Sequence, residues 1–312
     1  MANEVLLSGI GDLTTAANLA AQYMLELADR DGSALSHPAL AYVGAATPGS
    51  NVIQTPFVGL GGYDLLASGT EGTDPGNTAL TDSSASVTVA LYDKIYTIGD
   101  LARFVDAYGI FDVEAMAADM LTTVGQTLID LIMALAVNYT TNVAGTSGVD
   151  LVVQDHTDAI TLLEIQKVQT ELAAIYAPRQ WGDLRTDSLS LGGAVQHRAD
   201  AQGIVNYTRG AYKGQLFGVD CFVSSHADTS DSGANTNGLM FGRGAVLWGD
   251  GLFAPEGMDS NIIDLAIPGA PVRGRLERAR DGRKGETAWV QRALLGVVEG
   301  KDAAGCRMRS DA

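Results

Sequence analysis

Four histidines, two cysteines and one cluster of arginines are the residues of this 312-residue chain whose types invite chemistry. His37, His156, His197 and His226 are scattered. None belongs to an HExxH pair, where two imidazoles one helical turn apart hold zinc, and none stands beside a cysteine at a spacing that suits a nucleophile. Cys221 and Cys306 lie far apart, with no CxxC or Cys/His zinc spacing, and read as two free buried thiols in a reducing compartment. No GxSxG elbow, GxxxxGK[ST] loop or GxGxxG turn occurs, so acyl transfer and phosphate cradling have no support. Gly59 to Gly62 and Gly242 to Gly244 read as turns. The loop from Asp228 to Gly233 carries acidic residues three apart, not the every-second-position oxygens of a calcium loop. The two Asn-Tyr-Thr tripeptides, at Asn138 and Asn206, read as chance matches to the glycosylation pattern. A positioned acid–base pair is not visible, and the chain is read as a non-enzyme without cofactor or metal.

The one notable charge feature is late in the chain. Arg273, Arg275, Arg278, Arg280, Arg283 and Lys284 cluster among Glu277, Asp281 and Glu286. Either this is a solvated sheet face, or it is an intersubunit contact in which guanidinium groups take carboxylates in bidentate geometry. Asp64, Glu71, Asp74 and Asp82, in an acidic stretch far upstream, are the candidate partners on a neighbouring copy.

Composition limits the classes. A net charge of −17 argues against binding nucleic acid through phosphate neutralisation. The charge is uneven: residues 1–150 hold 17 acidic and 3 basic side chains, and the remainder 20 and 17. An acidic half and a nearly neutral, Arg-rich half favour self-association. Apolar content of 46% supports a real core, while 37 glycines point to turns and extended segments. The N-terminus, MANEVLLSGIG, has no basic n-region, so no signal peptide is expected. The most apolar window, Leu128 to Val137, is interrupted by Asp130 and falls short of the roughly 20 residues a membrane span needs. The expected product is soluble and made in a cytoplasm.

The elements that must position these residues follow from periodicity. The chain is organised around Asp112 to about Tyr139, where Val113, Ala117, Met120, Val124, Leu128, Leu131 and Leu135 fall in steps of three and four. That is one stripe of a long helix capped by Asp112. A shorter helix is expected over 12–29, and extended chain over 38–62. Residues 59–86 are rich in Gly, Ser, Thr and Asp and lead into an alternating strand, Ser86 to Tyr96; loops that long usually bind something. A short element follows at 98–108. Thr161 and Glu164 form a capping box that predicts a second helix, to about Ala177, with Leu162, Ile165, Val168 and Leu172 on one face. Strand and helix fragments follow over 186–202. A short strand is expected within 214–225, a polar loop over 227–238 and another strand within 239–253. Val272–Arg280 and Thr287–Val298 read as a long hairpin about Asp281-Gly282, and Gly305–Ser310 as a last strand.

This order of elements, with the phrases SVTVALYDKIYTIGDLARFV, GQLFGVDCFVSSHA, GLMFGRGAVLWGDG and RGRLERARDGRKGETAWVQRALLGVV, resembles the major capsid proteins of tailed bacteriophages. Nearly the whole chain takes part. The resemblance implies an α+β, Hong Kong 97-like fold with a long spine helix, an extended β loop, and peripheral and axial domains. The implied parts are an N-terminal arm (1–46), an extended loop (47–97) and a peripheral domain with the spine helix (98–149). An axial domain (150–270), a peripheral-domain hairpin (271–299) and a C-terminal segment (300–312) complete the chain. The implied function is self-assembly through hexamers and pentamers into an icosahedral shell around phage DNA, held without sequence-specific binding. The implied locations are the virion and, during assembly, the host cytoplasm. The implied partners are other copies of the chain, a separate scaffolding protein, a portal and a cement protein, with no membrane. Some members crosslink neighbours through a Lys in the extended loop and an Asn near the hairpin turn. Residues 47–93 hold no Lys and the turn RARDGRKGET no Asn, so noncovalent contacts are expected instead. The competing readings are another self-assembling subunit, of a tail or a surface layer, and an enzyme with a dispersed site.

Overall fold

The computed structural model describes residues 34–35, 37–46, 49–59, 81–100, 113–168, 171–190, 212–225, 235–253, 262–266 and 273–311. The helix expected over 12–29, residues 60–80 of the expected loop, the segment 101–112 and the polar loop at 228–233 lie outside them.

After β1 (Ala41–Ala46), β2 (Val52–Gly59) and β3 (Thr81–Thr88) form an antiparallel ribbon, in unbroken register from Val52 opposite Thr88 to Gly59 opposite Thr81. The strand expected over 86–96 is two strands. Val89 interrupts it, its N–H donating to Asn51 O at 2.7 Å, and β4 (Ala90–Gly99) pairs elsewhere. Alternation continues across the break, so sequence cannot show the change of partner. The consequence is visible in burial: Val87 and Val89 are buried, whereas Leu91, next in the same alternation, is 55% exposed.

The central helix is α1 (Val113–Ala134), about 33 Å long at 1.5 Å per residue. A 3-10 turn, Leu135–Asn138, replaces its expected last turn. Its buried face runs through Val124, Leu128, Ile129, Ile132, Met133 and Ala136, with Leu131 and Leu135 only half-buried. The stripe is therefore wider than, and rotated from, the one expected, because the helix packs on both sheets of the molecule.

Beyond the two-residue β5 (Val143–Ala144), the second helix differs from expectation. It is α2 (Val153–Ile165), starting eight residues before the Thr161 capping box. Its N-terminus is capped by Asp155, which accepts the Val152 N–H at 3.0 Å, and by Asp187, which accepts the Val153 N–H at 2.8 Å. Lys167, at φ 59°, ends it. The buried face is Val153, His156, Ala159 and Leu163, and Ile165 is 67% exposed. The residues expected to finish that helix are β6 (Ala173–Tyr176), in which every residue is buried. A short apolar run buried on both faces does not alternate, so its period cannot separate strand from helix. Pro178 then opens α3 (Pro178–Ser190), where its missing N–H costs nothing.

The hairpin β7 (Tyr212–Leu216) and β8 (Val219–Val223) turns at Phe217-Gly218. The expected polar loop ends earlier than 238, because β9 (Asn235–Phe241) begins inside it and is buried throughout. Two of its polar groups are paired across the fold: Asn237 Oδ1 accepts Arg307 Nε–H at 2.8 Å, and Gln180 donates to Thr236 O at 3.1 Å. The remaining strands are β10 (Val246–Gly251), β11 (Ile262–Ala266), β12 (Arg273–Asp281), β13 (Glu286–Glu299) and β14 (Gly305–Asp311). The β12–β13 connection is a four-residue turn, Gly282 to Gly285, with Asp281 opposite Glu286. The positive φ the turn needs is at Gly285 (62°) and not at Gly282.

Two six-stranded sheets result. One runs β1-β10-β13-β12-β11, with β4 also on β13; the other runs β5-β14-β9-β6-β8-β7. The core around α1 takes Trp248, Trp289 and Leu276 from the first sheet, and Ile175, Phe222, Leu239 and Phe241 from the second. The opposite face of the second sheet buries Tyr176, Cys221, Met240, Cys306 and Met308 against α2 and α3. Tyr139 joins the layers, its O–H donating to Ala245 O at 2.8 Å.

Candidate functional site

The β2–β3 ribbon hydrogen-bonds into neither six-stranded sheet. A two-stranded ribbon is marginal alone, so its placement depends on its root. That root sits on glycine. Gly249 of β10 and Gly296 of β13 are register partners, and they leave a flat patch free of side chains. An added Cβ at Gly296 would lie 2.5 Å from Thr88 O and 2.9 Å from Val87 Cγ1; one at Gly249 would lie 2.6 Å from Ile53 Cδ1. Ile53 and Val87 therefore seat the ribbon directly against the sheet backbone.

The arginine hairpin is largely committed within the chain. Arg275 is buried and grips Asp264 through two bonds, Nε to Oδ1 at 2.8 Å and Nη2 to Oδ2 at 3.2 Å, with its guanidinium 4.8 Å from the Phe253 ring centroid. Arg280 Nη2 donates to Asp100 Oδ2 at 2.9 Å. Arg278 lies 5.6 Å from the Trp289 ring centroid, and Arg273 Nε is 3.8 Å from Asp250 Oδ2. Arg283 and Lys284 are exposed in the turn, and neither forms an ion pair among the described residues. Asp64, Glu71 and Asp74 lie outside the described residues, and Asp82 is placed only by its register opposite Val58.

One polar node was not foreseen. Asp119 of α1 accepts hydrogen bonds from Tyr96 O–H at 2.7 Å, Gln291 Nε2 at 3.0 Å and Lys94 Nζ at 3.2 Å. Burial raises its pKa, but these donors outweigh that and hold the carboxyl below the usual range. Burial opposes charge on Lys94 too, yet its bonds to Tyr96 and Asp119 leave its pKa raised. A cavity of about 250 Å³ lies beside it, lined by β4, α1 and β13. The available signal was Lys94 itself, one of only 3 cations in residues 1–150.

His37, His156 and both cysteines make their contacts within the fold. His37 bonds Asp220 at 3.1 Å and accepts the Ala39 N–H at its Nδ1, so its Nε2 carries the proton. His156 is fully buried: Nε2–H donates to Leu216 O at 3.1 Å, and Nδ1 accepts the Tyr176 hydroxyl. Burial lowers the His156 pKa to about 4, so the ring is neutral at physiological pH. Burial pushes both cysteine thiols up to about 12, far from a thiolate nucleophile. His197 and His226 lie outside the described residues. Asp150, Asp183 and Asp311 bring carboxylate oxygens within 4.8 Å of one another. Burial, and then repulsion from Asp150 and Asp311, raise the pKa of Asp183, and Arg179 binds Asp311 at 2.8 Å. No helix among the described residues is long and apolar enough to cross a membrane.

No family model matches the sequence, and no curated protein matches it. Solved structures do. The capsid asymmetric unit of cyanophage Pam1 aligns over 88% of this chain and 91% of its own, at 13% identity and TM-score 0.58. A Mycobacterium phage Che8 structure aligns over 91% and 90%, at 15% identity and TM-score 0.53. The holo-SrpI encapsulin complex from Synechococcus elongatus aligns over 87% and 85%, at 9% identity and TM-score 0.54. The chain has the α+β, Hong Kong 97-like fold of tailed-phage capsids and encapsulin.

Proposed function

We propose that this chain is a structural major capsid protein, which self-assembles through hexamers and pentamers into an icosahedral shell around phage DNA. The observation that carries the reading is near-complete, two-way coverage by phage capsid subunits, 88% of this chain and 91% of the Pam1 subunit. The β2–β3 ribbon fits the role: an extended element with a fixed root and few partners in its own chain is suited to lie on a neighbour. In this reading residues 1–46 are the arm and 47–97 the extended loop. Residues 98–149 and 271–299 make the peripheral part, 150–270 the axial part and 300–312 the C-terminal segment. Within 150–270, β10 and β11 pair in the sheet of β12 and β13, and β14 pairs in the sheet of β9 and β6.

The intersubunit contact is assigned first to Arg283 and Lys284, the exposed cations of the turn. Arg273, Arg275, Arg278 and Arg280 support the hairpin that carries them. The ribbon carboxylates Asp64, Glu71, Asp74 and Asp82 of another copy are the proposed partners. The shell is held without covalent crosslinks. Lys94, in β4, has its ammonium bound to Asp119, and its raised pKa leaves little free amine for attack. A charge of −17 lets packaged DNA move without sticking. A separate scaffolding protein, a portal and a cement protein complete the proposed assembly, in the host cytoplasm and then the virion.

The encapsulin match supports a second reading, a shell with a different cargo. Negative-stain electron microscopy of the recombinant chain, with and without a co-encoded scaffold, tests both. Closed shells or rings of five and six support a shell protein; a persistent monomer or small dimer refutes it. Nuclease-protected DNA in particles purified from a phage lysate favours the first reading, and a protein cargo the second.

A further inference from the structure

Asp250 of β10 is fully buried. Its Oδ1 accepts the Tyr42 O–H of β1 at 2.7 Å, while its Oδ2 is shielded from solvent and has no hydrogen-bond partner. The nearest cation is Arg273 of β12, whose Nε stands 3.8 Å from that oxygen, beyond hydrogen-bond distance. Among the described residues, Tyr42 and Arg273 are the titratable or charged groups that face it; β13 presents Leu295 opposite. Among the described residues β1 is an edge strand of its sheet, paired with β10, with the Tyr42 ring tilted on Trp248 at 4.8 Å between centroids. The Asp250 side chain is thus the polar clasp between the sheet and the strand that follows the N-terminal stretch.

We propose that Asp250 is a proton-operated latch for the N-terminal edge strand, with β1 docked more firmly when this carboxyl is protonated than when it is ionised. Ionised, it places a charge in a dry site with one of its two oxygens lacking a hydrogen bond. Protonated, it loses that penalty, while Oδ1 still accepts the Tyr42 hydroxyl. With β1 released, the carboxyl meets water and ionises as an ordinary aspartate. Desolvation raises the folded-state pKa of Asp250, outweighing the hydrogen bond from Tyr42, the attraction of Arg273 and the contact with its own backbone N–H. A carboxyl whose pKa is raised in the docked state stabilises docking as pH falls through that raised value, and the gain is lost as pH rises. Tyr42 stays a donor throughout, because burial and the Asp250 carboxylate raise its own pKa to about 12. The latch rests on the fold and does not require that the chain build a shell.

Hydrogen exchange of the full chain, read by mass spectrometry at pH 7.5 and 5.5 and corrected for intrinsic rates, tests the proposal. Peptides covering 41–46 are compared with peptides of β14 as an internal reference. In the wild type, β1 protection rises on acidification relative to β14, by up to about tenfold for each pH unit between the docked pKa and 5.5. Asp250→Asn shows high protection at both pH values and no slope. Equal slopes in wild type and Asp250→Asn, or weaker β1 protection in the variant at both pH values, overturns the latch. Tyr42→Phe provides a second reading. Losing the donor strengthens proton binding by Asp250, so the midpoint of the protection change moves to higher pH; an unmoved midpoint also overturns it.

Discussion

Replacing Gly296 by alanine adds one methyl group where the ribbon root meets the sheet. The new Cβ would lie 2.5 Å from the carbonyl oxygen of Thr88, which is backbone and cannot rotate away. Restoring an ordinary carbon–oxygen contact of about 3.3 Å needs a shift of about 0.8 Å. The strands are about 4.8 Å apart, so taking up that shift at one strand tilts the ribbon by about 10°. Each ribbon strand is 8 residues long. Over that length, about 26 Å, the far end of the paired region moves by about 4 Å. Overpacking of this kind costs about 1–3 kcal/mol, which leaves a chain with two sheets and two cores folded. The expected outcome separates folding from assembly. Gly296→Ala keeps a native circular dichroism spectrum and a modestly lowered melting temperature, while its shell yield collapses and exchange of residues 51–55 and 85–89 rises. Gly282→Ala is the control, since an added Cβ there meets nothing within 4 Å and φ is not positive. If Gly296→Ala assembles at wild-type yield with unchanged exchange in the ribbon, the glycine seat does not set the ribbon's direction and the reasoning fails.

Other consequences are simpler to measure. His156 has a folded pKa of about 4, below its unfolded value, so its contribution is complete above about pH 6.5 and declines as pH falls towards 4. The difference in urea-unfolding free energy between wild type and His156→Gln therefore shrinks by about 2 kcal/mol between pH 7 and pH 5; a constant difference contradicts its burial as a neutral ring. Both thiols are buried with pKa near 12, so an aromatic disulfide reagent at pH 8 labels neither until the chain unfolds. Fast labelling of the native protein would show either site to be open. Arg283→Glu combined with Lys284→Glu lowers assembly yield without moving the melting temperature, since neither side chain is buried; equal yields at low salt remove the turn from the contact.

The sequence by itself determined the elements whose signals are local. The 3.6-residue period from Val113 onward required a long helix, and alternation with Gly between two runs required the β12–β13 hairpin. The order of those elements carries the resemblance to tailed-phage capsid proteins. Local signals failed where burial came from two sides. Ala173–Tyr176 has no period because both of its faces are covered, and Asn235–Gly238 looks like a loop although Gln180 and Arg307, 56 and 70 residues away in the chain, pair with its polar groups. The offset of the α1 face came from the second sheet packing behind it. The seat of the ribbon, the Asp119 node and the Asp250 clasp were not legible at all. They join residues from 23 to 208 positions apart, and a glycine that makes room for another strand carries the same letter as one that makes a turn. Sequence fixes which residue types are present at what spacing along one strand. Only the tertiary fold decides which backbone comes close enough to exclude a methyl group, and which carboxylate is left without water.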